Sequence, residues 1–147
     1  MPPKRLRPAA RLLLLDADGR LLLFRFDPAD RPPFWCTAGG ALDPGETHAQ
    51  AAARELIEET GLALDPGPEV ARRVVNFVAL EGDPVHADER YFVIRAPAGF
   101  VVDPAGHTEA ERRVMTRWRW FTREELADWP ETIYPEDILP MLTEVGA

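Results

Sequence analysis

The sequence has one cysteine, Cys36, among its 147 residues, which excludes a disulfide within the chain and fits a reducing compartment. It also lacks any apolar run near the ~20 residues needed to span a bilayer. The leucines that follow the basic N-terminus end at Asp16, too early for the apolar region of a signal peptide. We therefore expect a cytoplasmic protein with no membrane partner.

Positive charge is also scarce, since 17 Lys and Arg face 25 Asp and Glu and the formal net charge is -8. Such a chain has no general electrostatic attraction for a polyanion, so we expect no nucleic acid polymer as a partner. A small anionic ligand would need a metal ion or a local basic patch. The length is that of one domain, which we place over residues 1–147.

Short apolar runs separated by loops rich in Pro, Gly and Asp predict a mixture of strands and helices. The predicted strands cover residues 10–15, 21–26, 34–37, 73–80, 90–96 and 113–121, the first two forming a hairpin. The predicted helices cover residues 47–60, a short segment after Thr122 and residues 135–145. Without regular βαβ alternation, this order indicates an α+β fold with helices covering a mixed sheet.

The helix predicted over 47–60 carries its own start and stop signals. Thr47 and Gln50 form a capping box, and Gly61 is placed to end the helix in a left-handed conformation. An apolar stripe is expected to face the core; its members are Ala49, Ala52, Ala53, Leu56 and Ile57.

Three carboxylates, Glu55, Glu58 and Glu59, fall within about one turn of this helix. Like charges at this spacing repel, so a positive partner close by would turn a small cost into a gain. Carboxylate oxygens are hard ligands that suit Mg²⁺ or Mn²⁺.

The spacing around these residues forms a longer pattern. Gly40 is followed after five residues by Glu46 and after seven more by Arg54-Glu55, and then by LIEETGL, which ends at Leu62. This stretch resembles the complete Nudix box, and average composition would produce it at roughly 10⁻⁹ per starting point. The N-terminal hairpin, a tryptophan before the glycines and the run RWRWFTREEL are also similar to a Nudix domain. Ala38 departs from the proline that many members have before the paired glycines.

The resemblance implies a Nudix-like α/β/α sandwich and hydrolysis of a nucleoside diphosphate linked to another group. It implies Mg²⁺ as the cofactor, with Mn²⁺ as a substitute. The metal site implied comprises Glu55, Glu58, Glu59 and the carbonyl of Gly40 or Gly39. Glu46 and Arg54 would form a supporting ion pair, and the implied catalytic residues are Glu55, Glu58 and Arg54. For the general base, Glu58 or Glu55 come first, with Glu109 and Glu111 as loop candidates.

Residues outside the box are candidates for substrate binding, namely Arg25, Phe34, Trp35 and Glu111. Aromatic rings can stack on a base and arginine can bind phosphate. The alternative is that Phe34 and Trp35 alternate across a strand, so that one fills the core, and that Glu111 is plain surface charge. The three histidines lack zinc-ligand spacing and are expected at the surface, and Cys36 is expected to be a buried side chain.

Three classes of function are compared. The leading one is a metal-dependent hydrolase acting on a small nucleoside diphosphate derivative. A non-catalytic nucleotide sensor and a prenyl diphosphate isomerase are the alternatives, and both would be expected to have lost part of the box. The box is shared by family members with many substrates and does not distinguish among them. A homodimer is compatible with the sequence, which assigns no interface.

Overall fold

The computed structural model describes residues 4–80 and 82–147, so residues 1–3 and 81 of the domain predicted over 1–147 lie outside the described part. The strands are β1 (Arg5–Leu15), β2 (Leu21–Phe26), β3 (Phe34–Ala41), β4 (Glu69–Val78), β5 (Pro84–Arg95), β6 (Met115–Phe121) and β7 (Thr132–Tyr134). The helices are α1 (His48–Thr60), α2 (Glu109–Val114), α3 (Arg123–Ala127) and α4 (Ile138–Glu144), with a 3₁₀ turn at Pro104–Gly106.

The strands form one mixed sheet with β1 near its centre. β1 runs parallel to β5 from Arg5 opposite Val85 to Leu15 opposite Arg95. The first half of β3 pairs antiparallel with β2, and its second half pairs antiparallel with β1. β6 adds to β2, β7 adds to β3, and β4 lies at one edge against β5. The predicted mixed sheet is confirmed.

Helices cover both faces of this sheet, and the apolar side chains divide accordingly into two cores. Leu12 and Leu14 of β1 point toward α1, whereas Leu13 and Leu15 point toward α3 and α4. The continuous run of leucines in β1 follows from this, because a central strand covered on both faces has no solvent side. The arrangement confirms the α/β/α sandwich.

Two elements at the C-terminal half were missed in the sequence, and one was misplaced. The strand predicted over 113–121 is preceded by α2, and the helix predicted from 135 begins at Ile138, after the short strand β7. Thr108 and Glu111 form a capping box that opens α2. The same signal that located two other helices was therefore present here.

None of the helices in residues 4–80 and 82–147 has the length and apolar character of a membrane-spanning segment.

Helix α1 has the predicted ends but not the predicted buried face. Thr47 and Gln50 exchange both capping bonds, and Gly61 closes the helix with φ 78°. Ala49 and Ile57 of the expected apolar stripe are exposed, and Ala51 is buried in their place. Compared with the predicted orientation, α1 is rotated about its axis, so that Glu55 and Glu59 are buried against the sheet together with Leu56.

Candidate active site

Two glycines of β3 create the space in which the α1 carboxylates lie. Gly39 has φ 127°, and a Cβ there would stand 2.1 Å from the Ala10 carbonyl oxygen. A Cβ on Gly40 would stand 2.8 Å from Oε1 of Glu55. The backbone N–H of Gly39 donates to Oε2 of Glu59 at 3.3 Å. Glycine is thus required at Gly39 for β3 to pair with β1, and at Gly40 for the Glu55 carboxylate of α1 to lie against the strand.

Glu55 and Glu59 form a buried pair of carboxyl groups one helical turn apart. Their residues are 8% and 4% exposed, and their side chains share a hydrogen bond. Burial raises the pKa of Glu59 well above its ordinary value, and the negative charges of Glu55 and Glu111 raise it further. Burial also raises the pKa of Glu55, opposed by its bonds to Glu59 and Arg54. Two acids placed this way have to share a proton or a cation.

Arg54 brings a positive charge into contact with this pair. Its Nε and Nη2 donate to the two oxygens of Glu46 at 2.8 and 2.9 Å. Its Nη1 donates to Glu55 at 2.9 Å and to Glu58 at 3.1 Å, and Nη2 also reaches the Ala41 carbonyl at 3.1 Å. The guanidinium therefore ties the loop before α1 to the middle of the helix. Arg54 and Glu46 are thus paired, and their supporting role stays a prediction.

The three predicted ligands are not all gathered at one point. Glu58 lies on the outer side of α1 with its side chain 41% exposed, where it is held by Arg54. Over residues 4–80 and 82–147, no three His, Cys, Asp or Glu side chains are grouped as a metal centre. Glu111 is near enough to raise the pKa of Glu59. The Oε1 of Glu111 itself accepts a hydrogen bond from the Thr108 N–H at 3.0 Å, as part of the cap of α2. The structure thus unites Glu55 and Glu59 and places Glu58 and Glu111 around them.

The C-terminal end of α1 rests on a residue that the sequence did not single out. His107 was expected at the surface, but it is buried, with Nε2 lying 2.8 Å from the carbonyl oxygen of Glu59. Its ring contacts Phe24 and Trp118 edge-on. The histidine expectation is wrong at this position because a carbonyl partner and two aromatic rings compensate for burial. No spacing in the sequence signals this contact.

The substrate-binding candidates are spread over both faces of the sheet. Trp35 is 0% exposed in the core beneath α3 and α4, and its Nε1 donates to Glu131 at 2.8 Å. Its placement fits the core-filling alternative and leaves no face for a ligand. Arg25 also binds Glu131, through Nε at 3.0 Å and Nη2 at 2.8 Å. Phe34 points to the other side, where it stacks on Phe26.

The buried position expected for Cys36 is confirmed. The residue is 9% exposed. Burial raises the pKa of its thiol to about 12, so it is not a nucleophile at neutral pH.

Comparison with known proteins gives one family. The NUDIX domain model matches residues 5–142. An RNA pyrophosphohydrolase of Brucella ovis is 30% identical over 148 residues, which cover 88% of this chain and 79% of that protein. An RNA pyrophosphohydrolase of Erythrobacter litoralis is 28% identical over 142 residues, covering 89% and 83%. The crystal structure of a MutT protein from Methanosarcina mazei superposes with a TM-score of 0.71 at 20% identity, covering 99% of this chain and 96% of that one.

Proposed function

Because this chain belongs to the Nudix family and is a Nudix pyrophosphohydrolase, we propose that it hydrolyses a diphosphate linkage in a nucleoside diphosphate derivative, using a divalent cation. The observation that carries this proposal is the buried pair of Glu55 and Glu59 beside the β3 glycines. Two buried acids this close repel each other unless a proton or a cation joins them, and a divalent cation would neutralise both charges.

The residues at this position fit Mg²⁺, with Mn²⁺ as a substitute. Glu55 and Glu59 supply hard carboxylate oxygens, and the absence of a Cβ at Gly40 keeps the β3 backbone open beside Glu55. We propose that these two carboxylates and the carbonyl of Gly39 or Gly40 hold the cation, with Glu58 joining on release from Arg54. When bound, the cation would neutralise the diphosphate and orient the water that attacks phosphorus.

The remaining roles follow from exposure and charge. Glu58 is the best placed general base, because its carboxylate is partly exposed and can take a proton from a water molecule. Glu55 is the alternative, although its contact with Arg54 and its burial make it the better ligand. Glu109 and Glu111 were expected in a loop but lie in helix α2; they remain candidates, and the negative charge of Glu111 raises the pKa of Glu59. Arg54 positions Glu55 and holds Glu58 while that carboxylate does not bind the cation.

Two classes of substrate are candidates, a small nucleotide and an RNA. A small nucleotide agrees with the net charge of -8, which gives no attraction for a long polyanion. The relatives named RNA pyrophosphohydrolase, from Brucella and Erythrobacter, favour a second candidate, the hydrolysis of a pyrophosphate linkage in an RNA. We place the small nucleotide first and propose Phe34 as a further contact, which would first have to leave its partner Phe26. Arg25 binds Glu131 beside the buried Trp35 on the opposite face of the sheet from α1, so it is not proposed as a contact.

The test is a substrate panel assayed for released phosphate and pyrophosphate with Mg²⁺, with Mn²⁺ and with a chelator. The panel contains nucleoside triphosphates, ADP-ribose, dinucleoside polyphosphates, a nucleotide sugar and a 5′-triphosphorylated RNA oligonucleotide. Cleavage of a small nucleotide that stops with the chelator would support the proposal. Cleavage of RNA alone would favour the second candidate. Cleavage that persists with the chelator would contradict the metal role.

A further inference from the structure

The edge strand β4 exposes an unusual amount of apolar side chain. Five large apolar residues of the segment 74–80 are 37% to 49% exposed; they are Val74, Val75, Phe77, Val78 and Leu80. Successive residues of a strand point to opposite faces, so the exposed apolar surface occupies both faces of this edge. Within the described residues β4 pairs with β5 alone. Long apolar edges of this kind pair readily with another strand, and proteins usually block them with charge or proline.

The backbone of this edge also directs hydrogen-bonding groups away from β5. The hairpin that joins β4 to β5 is closed by Ala79 N–H donating to the Asp83 carbonyl at 2.9 Å. In an antiparallel ladder every second residue directs its N–H and C=O groups at the partner strand. The backbone groups of Phe77 and Val75 therefore point toward β5, as those of Ala79 do. The N–H and C=O groups of Val74, Asn76 and Val78 then point outward. At one end of this row, Arg31 Nη1 donates to the Val78 carbonyl at 2.6 Å.

The same segment has no charged side chains, so two copies can approach each other there. The sequence VVNFVAL at 74–80 contains no charged residue, although the chain carries a net charge of -8 and 29% of its residues are charged. Two copies with that net charge repel each other over most of their surfaces. Their β4 edges can approach without placing like charges together.

We propose that β4 pairs antiparallel with β4 of a second copy of this chain, in a register centred on Asn76. This register is isologous, as a closed twofold dimer requires. It places Asn76 opposite Asn76 of the second copy, Val74 opposite Val78, and Val75 opposite Phe77. A β-branched residue opposite an aromatic one is a favourable cross-strand pair. The two sheets would join into one continuous sheet across the twofold axis.

Registers centred on the arginines of β4 fit less well. A register centred on Arg72 or Arg73 would place arginines of the two copies against one another, which is unfavourable. With Asn76 at the centre, Arg72 faces Leu80 and Arg73 faces Ala79. Arg31 does not block this ladder, since the Val78 carbonyl has a second lone pair for the N–H of Val74. The hydrogen bonds between the two copies would run from Val74 to Val78, and Arg31 contacts the carbonyl of that last residue.

Mass measured against concentration tests the dimer. A single strand pair is a small interface, so we expect dissociation in the micromolar range. Sedimentation equilibrium from about 5 to about 500 µM covers that range. We expect the mass to rise from the 16.5 kDa of one chain toward twice that value. Val74→Lys should keep the chain at monomer mass throughout, whereas Val101→Lys, at an exposed residue outside β4, should behave as wild type.

Cross-linking tests the register. Opposed residues that exchange both hydrogen bonds have Cα atoms about 5.5 Å apart, within disulfide range. Asn76→Cys should therefore form a covalent dimer on mild oxidation, while Val101→Cys should form no covalent dimer; Cys36 is buried and unreactive.

Monomer mass for the wild type at the highest concentration would overturn the proposal, as would equal loss of the dimer in both lysine variants. A wild-type dimer without cross-linking of Asn76→Cys would overturn the register. If Val74→Lys fails to fold, the mass of Asn76→Cys still decides between these outcomes. It would be measured once under reducing conditions and once after mild oxidation.

Discussion

Removal of the Arg54 side chain should destabilise the protein by about 2–4 kcal/mol. Arg54→Ala deletes the paired bonds to Glu46 and the bonds to Glu55 and Glu58. Breaking a fully buried ion pair costs about 3–5 kcal/mol, because the remaining charge is left without compensation. The Arg54 side chain is 24% exposed, so solvent reduces that cost. In a chain of this size the melting temperature should fall by about 6–13 °C.

Urea unfolding followed by circular dichroism at pH 7 measures this loss. Arg54→Lys should lie between wild type and Arg54→Ala, since lysine keeps the charge but not the planar fork that binds Glu46 through two bonds. Arg95→Ala is the matched control, because Arg95 is exposed and makes no ion pair with any described residue. A free energy of unfolding for Arg54→Ala within about 0.5 kcal/mol of the control would refute the bracing role.

Two further predictions concern the β3 glycines and the side chain that joins Arg25 to Trp35. Gly40→Ala should lower kcat/KM at least about tenfold with a small change in stability, because its Cβ would displace the Glu55 carboxylate. Gly39→Ala should instead unfold at clearly lower urea, since its Cβ would meet the Ala10 carbonyl; equal effects of the two variants would contradict this division. Arg25 and Trp35 lower the pKa of Glu131 to about 2, so its contribution to stability is present above about pH 4.5 and is lost as the pH falls toward 2. Glu131→Gln should therefore cost about 1–2 kcal/mol at pH 7 and much less near pH 2.5 in urea titrations, and a pH-independent difference would count against the ion pair.

The sequence was sufficient to predict the helix that carries the carboxylates and the class of fold. The capping box and the terminal glycine of α1 are local signals, and the alternation of short apolar runs with loops is typical of a covered sheet. The resemblance to the Nudix box implied that Glu46 and Arg54 form an ion pair. The two side chains are in contact at 2.8 Å, and their supporting role stays a prediction.

Other features depend on contacts between distant segments. The buried face of α1 could not be predicted from hydrophobicity, since Glu55 and Glu59 are polar and yet face the sheet beside two glycines. His107 is separated from Glu59 by 48 positions, and only the folded chain brings it under the end of α1. Trp35 could be assigned to the core only after the partner strands were known. By contrast, α2 had a visible signal in Thr108 and Glu111.

The most direct test of the proposed site compares Glu59→Gln with wild type and with Glu124→Gln, a change at an exposed residue outside the site. Mn²⁺ binding by calorimetry and kcat/KM for the best substrate of the panel would be measured on all three. We predict that Glu59→Gln loses at least about tenfold in Mn²⁺ affinity and about 100-fold in kcat/KM while remaining folded, and that Glu124→Gln matches wild type. Wild-type Mn²⁺ affinity and turnover in Glu59→Gln would contradict the assignment of the buried carboxylate pair as the metal site.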